Sequence, residues 1–147
     1  VMILDTAGGE LPPAMFRRLA APHLAALADA FPGRLGYYAK ASHPAQFADE
    51  TWLSKWAVVG YDSRWDLASV LKAPRRTGLV QGNLDPAFLF NEGAAFTRSL
   101  DEFLTPIAAL SPAERRGWIC GLGHGILPGT PERNVKTFVE TVRERFQ

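Results

Sequence analysis

Five short apolar runs separated by amphipathic stretches predict an α/β fold built on a parallel sheet. The runs occupy residues 1–6, 35–40, 57–62, 78–83 and 117–121. Each is too short for a helix, apolar on both faces, and closed by polar or glycine residues, the pattern of strands covered from both sides. Helix punctuation between the runs is the second observation, and an unbroken alternation with no linker, repeat or low-complexity segment is the third.

Taken in order, the first run, Val1-Met2-Ile3-Leu4, reads as a buried strand cut at its beginning, so the chain is expected to be part of a longer one. Pro12-Pro13 opens the first helix, with Phe16, Leu19, Leu24, Leu27 and Phe31 at helical spacing. Pro22 lies inside it and predicts a kink or break. After the second run, Pro44 opens a helix with Ala48, Trp52 and Trp56 on one face. Beyond the third run, Asp66 is placed to cap a short helix through Leu67, Val70 and Leu71. Asp85-Pro86 starts a helical region continuing through Phe96, Leu100, Phe103 and Leu104. Ser111-Pro112-Ala113-Glu114 fits a capping box. Thr130-Pro131 starts the last helix, whose expected buried stripe is Val135, Phe138, Val139, Val142 and Phe146.

Strand–helix–strand units build either an open doubly wound sheet or a closed barrel, and periodicity does not separate the two. No GxGxxG fingerprint follows any strand, which disfavours a nucleotide-binding sheet. In both architectures function collects at the carboxyl ends of the strands. Those ends are Asp5-Thr6, Lys40, Tyr61-Asp62, Gln81-Gly82-Asn83 and Gly123-His124-Gly125.

Composition narrows the partners. Sixteen Lys+Arg against fifteen Asp+Glu leave a formal charge of +1, which gives no reason to expect nucleic acid or a membrane surface. One cysteine, Cys120, excludes an internal disulfide framework and an all-cysteine metal site. It reads as a small buried thiol in a strand. Nothing resembles a secretory signal or a membrane span, so a cytoplasmic location is the expectation.

Gly121-Leu122-Gly123-His124-Gly125-Ile126-Leu127-Pro128 is the most distinctive segment. Its glycines let backbone approach a ligand, and its imidazole is placed to bind an anionic group, or else to satisfy carbonyls in a tight turn. Thr6, before Ala7-Gly8-Gly9, offers a hydroxyl to a carboxylate or to its own loop. Gln81 and Asn83 either bind substrate or tie neighbouring strand ends together, the second being favoured. Asp85 is explained as a helix cap. Lys40 and Arg64 are weak candidates for positive charge. His23 and His43 fit surface or packing roles, and the four tryptophans fit the core. No HExxH, CxxC, GxSxG or P-loop pattern is present.

Read together, Val1-Met2-Ile3-Leu4-Asp5-Thr6 with Gly8-Gly9, the Lys40 strand, Gly60-Tyr61-Asp62, Gln81-Gly82-Asn83-Leu84-Asp85-Pro86, and Gly121-Leu122-Gly123-His124-Gly125-Ile126 with Pro131 and Asn134-Val135 resemble the uroporphyrinogen decarboxylase family. The resemblance implies a partial (β/α)8 TIM barrel comprising the last five βα units, with residues 1–147 forming its carboxy-terminal portion. It implies decarboxylation of the four acetate side chains of uroporphyrinogen to coproporphyrinogen, on the route to haem, with no metal or other cofactor. By motif, Thr6 matches a substrate-contacting hydroxyl residue, and His124 matches a histidine that contacts a substrate carboxylate. The family's pyrrole-binding aspartate, its carboxylate-binding arginines and a substrate-reaching tyrosine all precede this segment, so no catalytic residue is expected within it.

Two departures stand out: Ser63 follows Asp62 where the family usually carries tryptophan, and Ala41-Ser42-His43-Pro44 replaces a glycine-rich turn. Two other readings remain. A related corrinoid-linked methyltransferase would need a zinc site of His and Cys, for which one cysteine is too few. A non-catalytic fragment would persist only by assembling with another chain, since five parallel strands leave two open edges. In either case the segment alone is expected to be inactive, and to form a homodimer or join a missing amino-terminal half.

Overall fold

The computed structural model describes residues 1–74 and 78–147. Five strands form one sheet: β1 (Met2–Asp5), β2 (Gly36–Ala39), β3 (Val58–Gly60), β4 (Leu79–Leu84) and β5 (Trp118–Leu122). All four pairings are parallel, and the spatial order β1-β2-β3-β4-β5 repeats the chain order. A doubly wound sheet reverses its order at a switch point. An order without reversal, joined by crossovers of one hand, places successive helices on one face, as in a segment of a TIM-like barrel.

The register shows how the two faces differ. Ile3, Tyr37, Val59, Val80 and Trp118 stand side by side across the strands. They belong to, or pack against, a core completed from the connecting elements by Phe16, Trp52, Trp56, Leu71 and Ile107. One residue further on, Leu4, Tyr38, Gly60, Gln81 and Ile119 form the next row, on the opposite face. Leu4 is 70% exposed and Ile119 41%. The outer strands β1 and β5 are therefore not buried on both faces, contrary to the sequence expectation. An apolar run reports that a strand is suited to burial on both sides, but whether the second side is covered depends on elements packed there.

The connections follow the punctuation with informative exceptions. The chain leaves β1 through a 3-10 turn at Gly8–Glu10 and enters α1 (Pro13–Met15), a π-helical stretch Phe16–Ala20, and α2 (Ala21–Ala30). Pro22 has no N–H and its ring would strike a carbonyl four residues back. The expected irregularity at Pro22 thus takes the form of a widened turn immediately before it. Leu19, Leu27 and Phe31 are exposed, so only Phe16 and Leu24 of the expected stripe reach the core. The Pro44 helix is a 3-10 turn (Pro44–Gln46) followed by α3 (Glu50–Leu53), capped by Asp49 through Thr51 and Trp52 N–H groups.

The cap at Asp66 forms as expected at the start of α4 (Leu67–Lys72). Asp85 caps a 3-10 turn, Pro86–Phe90, which ends before α5 (Gly93–Ala108), so the expected continuous helix is two elements. The capping box at Ser111 and Glu114 starts α6 (Pro112–Arg115). In α7 (Glu132–Arg145), Phe138 is buried while Val139 is exposed. Phe138 joins Leu84, Leu89, Phe96 and Leu100 in a second core beside β4 and β5.

Candidate functional site

The uncovered face of the sheet forms a concavity of about 380 Å³, open to solvent. Its walls are Met2 and Leu4 of β1, Tyr38 of β2, Gly60 of β3, Gln81 of β4 and Leu122 of β5. Thr6, Lys40, Tyr61 and His124 line the same space from the strand ends. Parallel strands deliver their carboxyl ends to one rim, which brings residues from opposite ends of the chain into one cavity.

At the first strand end, Asp5 does the structural work. Its carboxylate accepts hydrogen bonds from Ala7 N (3.0 Å), Gly8 N (2.7 Å) and the Tyr37 hydroxyl (2.9 Å). Burial, and then Asp5 itself, hold the Tyr37 phenol well above its usual range, so it remains a donor. Gly8 and Gly9 are places of close approach rather than of flexibility. A Cβ on Gly8 would meet Tyr37 Oη at 2.9 Å, and one on Gly9 would meet Ala41 C at 2.5 Å. Gln46 closes this corner from β2's side, donating to Gly8 O (2.9 Å) and Leu11 O (2.8 Å). Thr6 projects from this fixed loop, exposed and without a hydrogen bond among the described residues.

Asp62 is the second anchor, and sequence reasoning assigned it no role. It is 4% exposed. Its carboxylate accepts from Ala41 N (2.6 Å) and Arg64 N (3.0 Å) and pairs with the Arg64 guanidinium at 2.9 Å. Arg64 is thereby engaged in holding the loop, whereas Lys40 has no ion pair among the described residues. Ala41 has a φ of 66°, in the left-handed region that favours glycine. Ala41 thus holds the turn after β2 in a conformation that glycine adopts more readily.

Asn83 donates to Asp62 O (2.7 Å) and Trp65 O (2.9 Å), so it ties strand ends as expected. Gln81 instead faces the concavity. The glycines of the His124 segment also divide. A Cβ on Gly123 would collide with Ser63 N and meet Asp62 C at 2.9 Å, whereas Gly121 and Gly125 have nothing within 4 Å. Only Gly123 serves backbone approach, and the approach is to a neighbouring strand end. His124 is exposed, with Nδ1 3.3 Å from Gly125 O. Tyr38, also unassigned from sequence, donates its hydroxyl to Gly123 O at 2.8 Å. Its spacing of two from Lys40 was the available signal, because strand residues two apart share a face.

Cys120 lies on β5 against the second core, and burial pushes its thiol up to about 12, so it is a packing group. Among the described residues, no three His, Cys, Asp or Glu groups gather where they could hold a metal ion. None of the described helices is long and apolar enough to cross a membrane. A hydroxyl, an imidazole and an ammonium group around largely apolar walls suit a bulky organic anion.

Comparison with known proteins bears on the same residues. Residues 1–145 match the family described as Uroporphyrinogen decarboxylase (URO-D). The uroporphyrinogen decarboxylase of Gluconacetobacter diazotrophicus is 35% identical over 98% of this chain and 40% of its own length. That of Prochlorococcus marinus (strain MIT 9303) is 31% identical over 96% of this chain and 39% of its own. The Xylella fastidiosa protein of the same name is 29% identical over 97% and 42%. The chain thus spans about two fifths of the length of these curated relatives.

Proposed function

The chain belongs to the uroporphyrinogen decarboxylase family, and from that premise we propose that it forms the last five βα units of a (β/α)8 barrel that converts uroporphyrinogen III to coproporphyrinogen III. The reaction removes four acetate carboxyl groups and needs no metal or organic cofactor. Each cycle breaks the bond between a carboxylate and its methylene carbon. The electron pair enters a pyrrole protonated on a ring carbon, and loss of CO2 leaves an exocyclic methylene. The methylene takes a proton to become methyl, and the ring carbon gives up its proton to restore the pyrrole. The protein's task is to bind many carboxylates, orient the macrocycle and supply a proton.

In this reading Thr6 donates to the substrate and His124 binds one of its carboxylates, with Lys40 adding positive charge beside them. The observation that carries it is that Thr6 and His124, 118 positions apart, line one largely apolar concavity at the strand ends. The groups that hold the pyrrole nitrogens and deliver the proton come from the part of the barrel not represented here. The segment alone is therefore inactive, and its open sheet edges and uncovered inner face are satisfied by an amino-terminal half or a second copy.

The test follows coproporphyrinogen formation from uroporphyrinogen, anaerobically, with the porphyrins oxidised and separated by carboxyl number. In the complete barrel, His124→Ala is expected to lower kcat/KM by about tenfold or more, the scale of one hydrogen bond to a charged group. Unchanged turnover in both His124→Ala and Thr6→Ala would remove the reading. Turnover by residues 1–147 alone would refute the inactivity of the segment.

A further inference from the structure

We propose that Tyr38 is a positioning residue for His124, acting through the carbonyl of Gly123. The proposal rests on the reading of His124 as a carboxylate-binding residue. Tyr38 starts on β2, yet its ring lies across β3, over Gly60. A side chain at that position would obstruct it, since a Cβ on Gly60 would sit 3.0 Å from Tyr38 Cδ2. The phenol then reaches the end of β5 and donates to Gly123 O at 2.8 Å. From the other side, Gly123 N donates to Leu84 O at 2.8 Å, and the Gly123 Cα is packed against Asp62, Ser63 and Asn83 backbone.

Both polar groups of Gly123 are thus held, and its position is fixed from three directions. His124, the next residue, has no comparable anchor of its own. Its exposed ring makes one hydrogen-bonding approach among the described residues, Nδ1 to Gly125 O at 3.3 Å, which is long for a hydrogen bond. The imidazole therefore inherits its direction from the peptide clamped at Gly123. Burial first, and then the negative charge of Asp62, raise the Tyr38 pKa, so the phenol stays a donor at neutral pH. Asp62 supports the same clamp at one remove, by fixing the strand end against which Gly123 packs.

Tyr38→Phe keeps the ring and removes only the hydroxyl. In the complete barrel, kcat/KM for uroporphyrinogen is measured for Tyr38→Phe, His124→Ala and the double variant, with thermal unfolding of each. Tyr38→Phe is expected to lower kcat/KM about fivefold, the scale of one neutral hydrogen bond, with little change in Tm. In the His124→Ala background the same change is expected to cost less than about twofold, because two residues acting through one contact are not additive. Equal losses in both backgrounds, or no loss in Tyr38→Phe, overturn the positioning role while leaving His124 in place. Full turnover by His124→Ala removes the carboxylate-binding role of His124 and this proposal with it, and if Thr6→Ala is also unchanged the functional reading goes too. A readout independent of turnover is the imidazole signal of His124 by NMR. Tyr38→Phe is expected to shift or broaden it, and an unchanged spectrum overturns the proposal.

Discussion

Replacing Gly123 with alanine adds one methyl group at a crowded point of the strand-end layer. The new Cβ would collide with Ser63 N and lie 2.9 Å from Asp62 C and 3.0 Å from Asn83 O. All three are backbone atoms, so no side-chain rotation relieves the clash. Nor can the strand ends withdraw cheaply, because Asn83 bonds to Asp62 O and Trp65 O, and the Asp62 carboxylate holds Ala41 and Arg64. Overpacking by a methyl group typically costs about 1–3 kcal/mol, and immovable neighbours put this case near the upper end, at about 3 kcal/mol. For a chain of this size, roughly 3 °C is lost per kcal/mol, so the Tm is expected to fall by about 9 °C. Gly121→Ala and Gly125→Ala are the internal controls. Neither Cβ would meet anything within 4 Å, and neither glycine has a positive φ. Both are expected to stay within about 0.5 kcal/mol of the parent, the range of surface substitutions free of special features. Thermal unfolding followed by circular dichroism measures all three. If Gly123→Ala melts with the two controls, the crowding argument for this segment is wrong.

Three further outcomes follow from single residues. Hydrogen bonds from the Ser69 side chain and N–H hold the Asp66 carboxyl below its ordinary value of 3.8, so its stabilisation is present above that value and fades as the pH falls through the lower folded value. Asp66→Ala should cost about 1 kcal/mol at pH 7, and urea titrations in which the gap persists unchanged in strong acid would contradict this. Ala41→Gly relieves a left-handed alanine and should raise stability by up to about 1 kcal/mol, read as a higher urea midpoint; a lower midpoint refutes it. Cys120, pushed up to about 12 by burial, should react slowly with a thiol reagent at pH 8 and quickly once unfolded. Fast labelling of the folded chain would show an accessible thiolate instead.

Much of this architecture was legible along the chain because its signals are local. Strand positions differ from the apolar runs by a residue or two at their ends, since a short apolar run closed by polar or glycine residues marks a strand whatever neighbours it takes. The caps at Asp66, Asp85 and Ser111 involve groups two or three residues away, so the residue types sufficed. Less came through where a neighbour decides. Leu19, Leu27, Phe31 and Val139 fall at helical spacing yet are exposed. Periodicity shows which residues share a face but cannot say whether that face is covered. Pro22 signalled an irregularity, but not that it would take the form of a π-helical turn at Phe16–Ala20.

Residue types and their order along the chain therefore established the α/β class, the five strands, most helix starts and the His124 segment. Only folding decided that strand order follows chain order without reversal, that one face of the sheet stays uncovered, and that Thr6 and His124 share a cavity. It likewise decided the parts played by Tyr38, Gln46 and Asp62. Their partners lie 85, 38 and 21 positions away in the chain, and contacts at that separation are set by how strands stack against one another, which no local pattern of residues records.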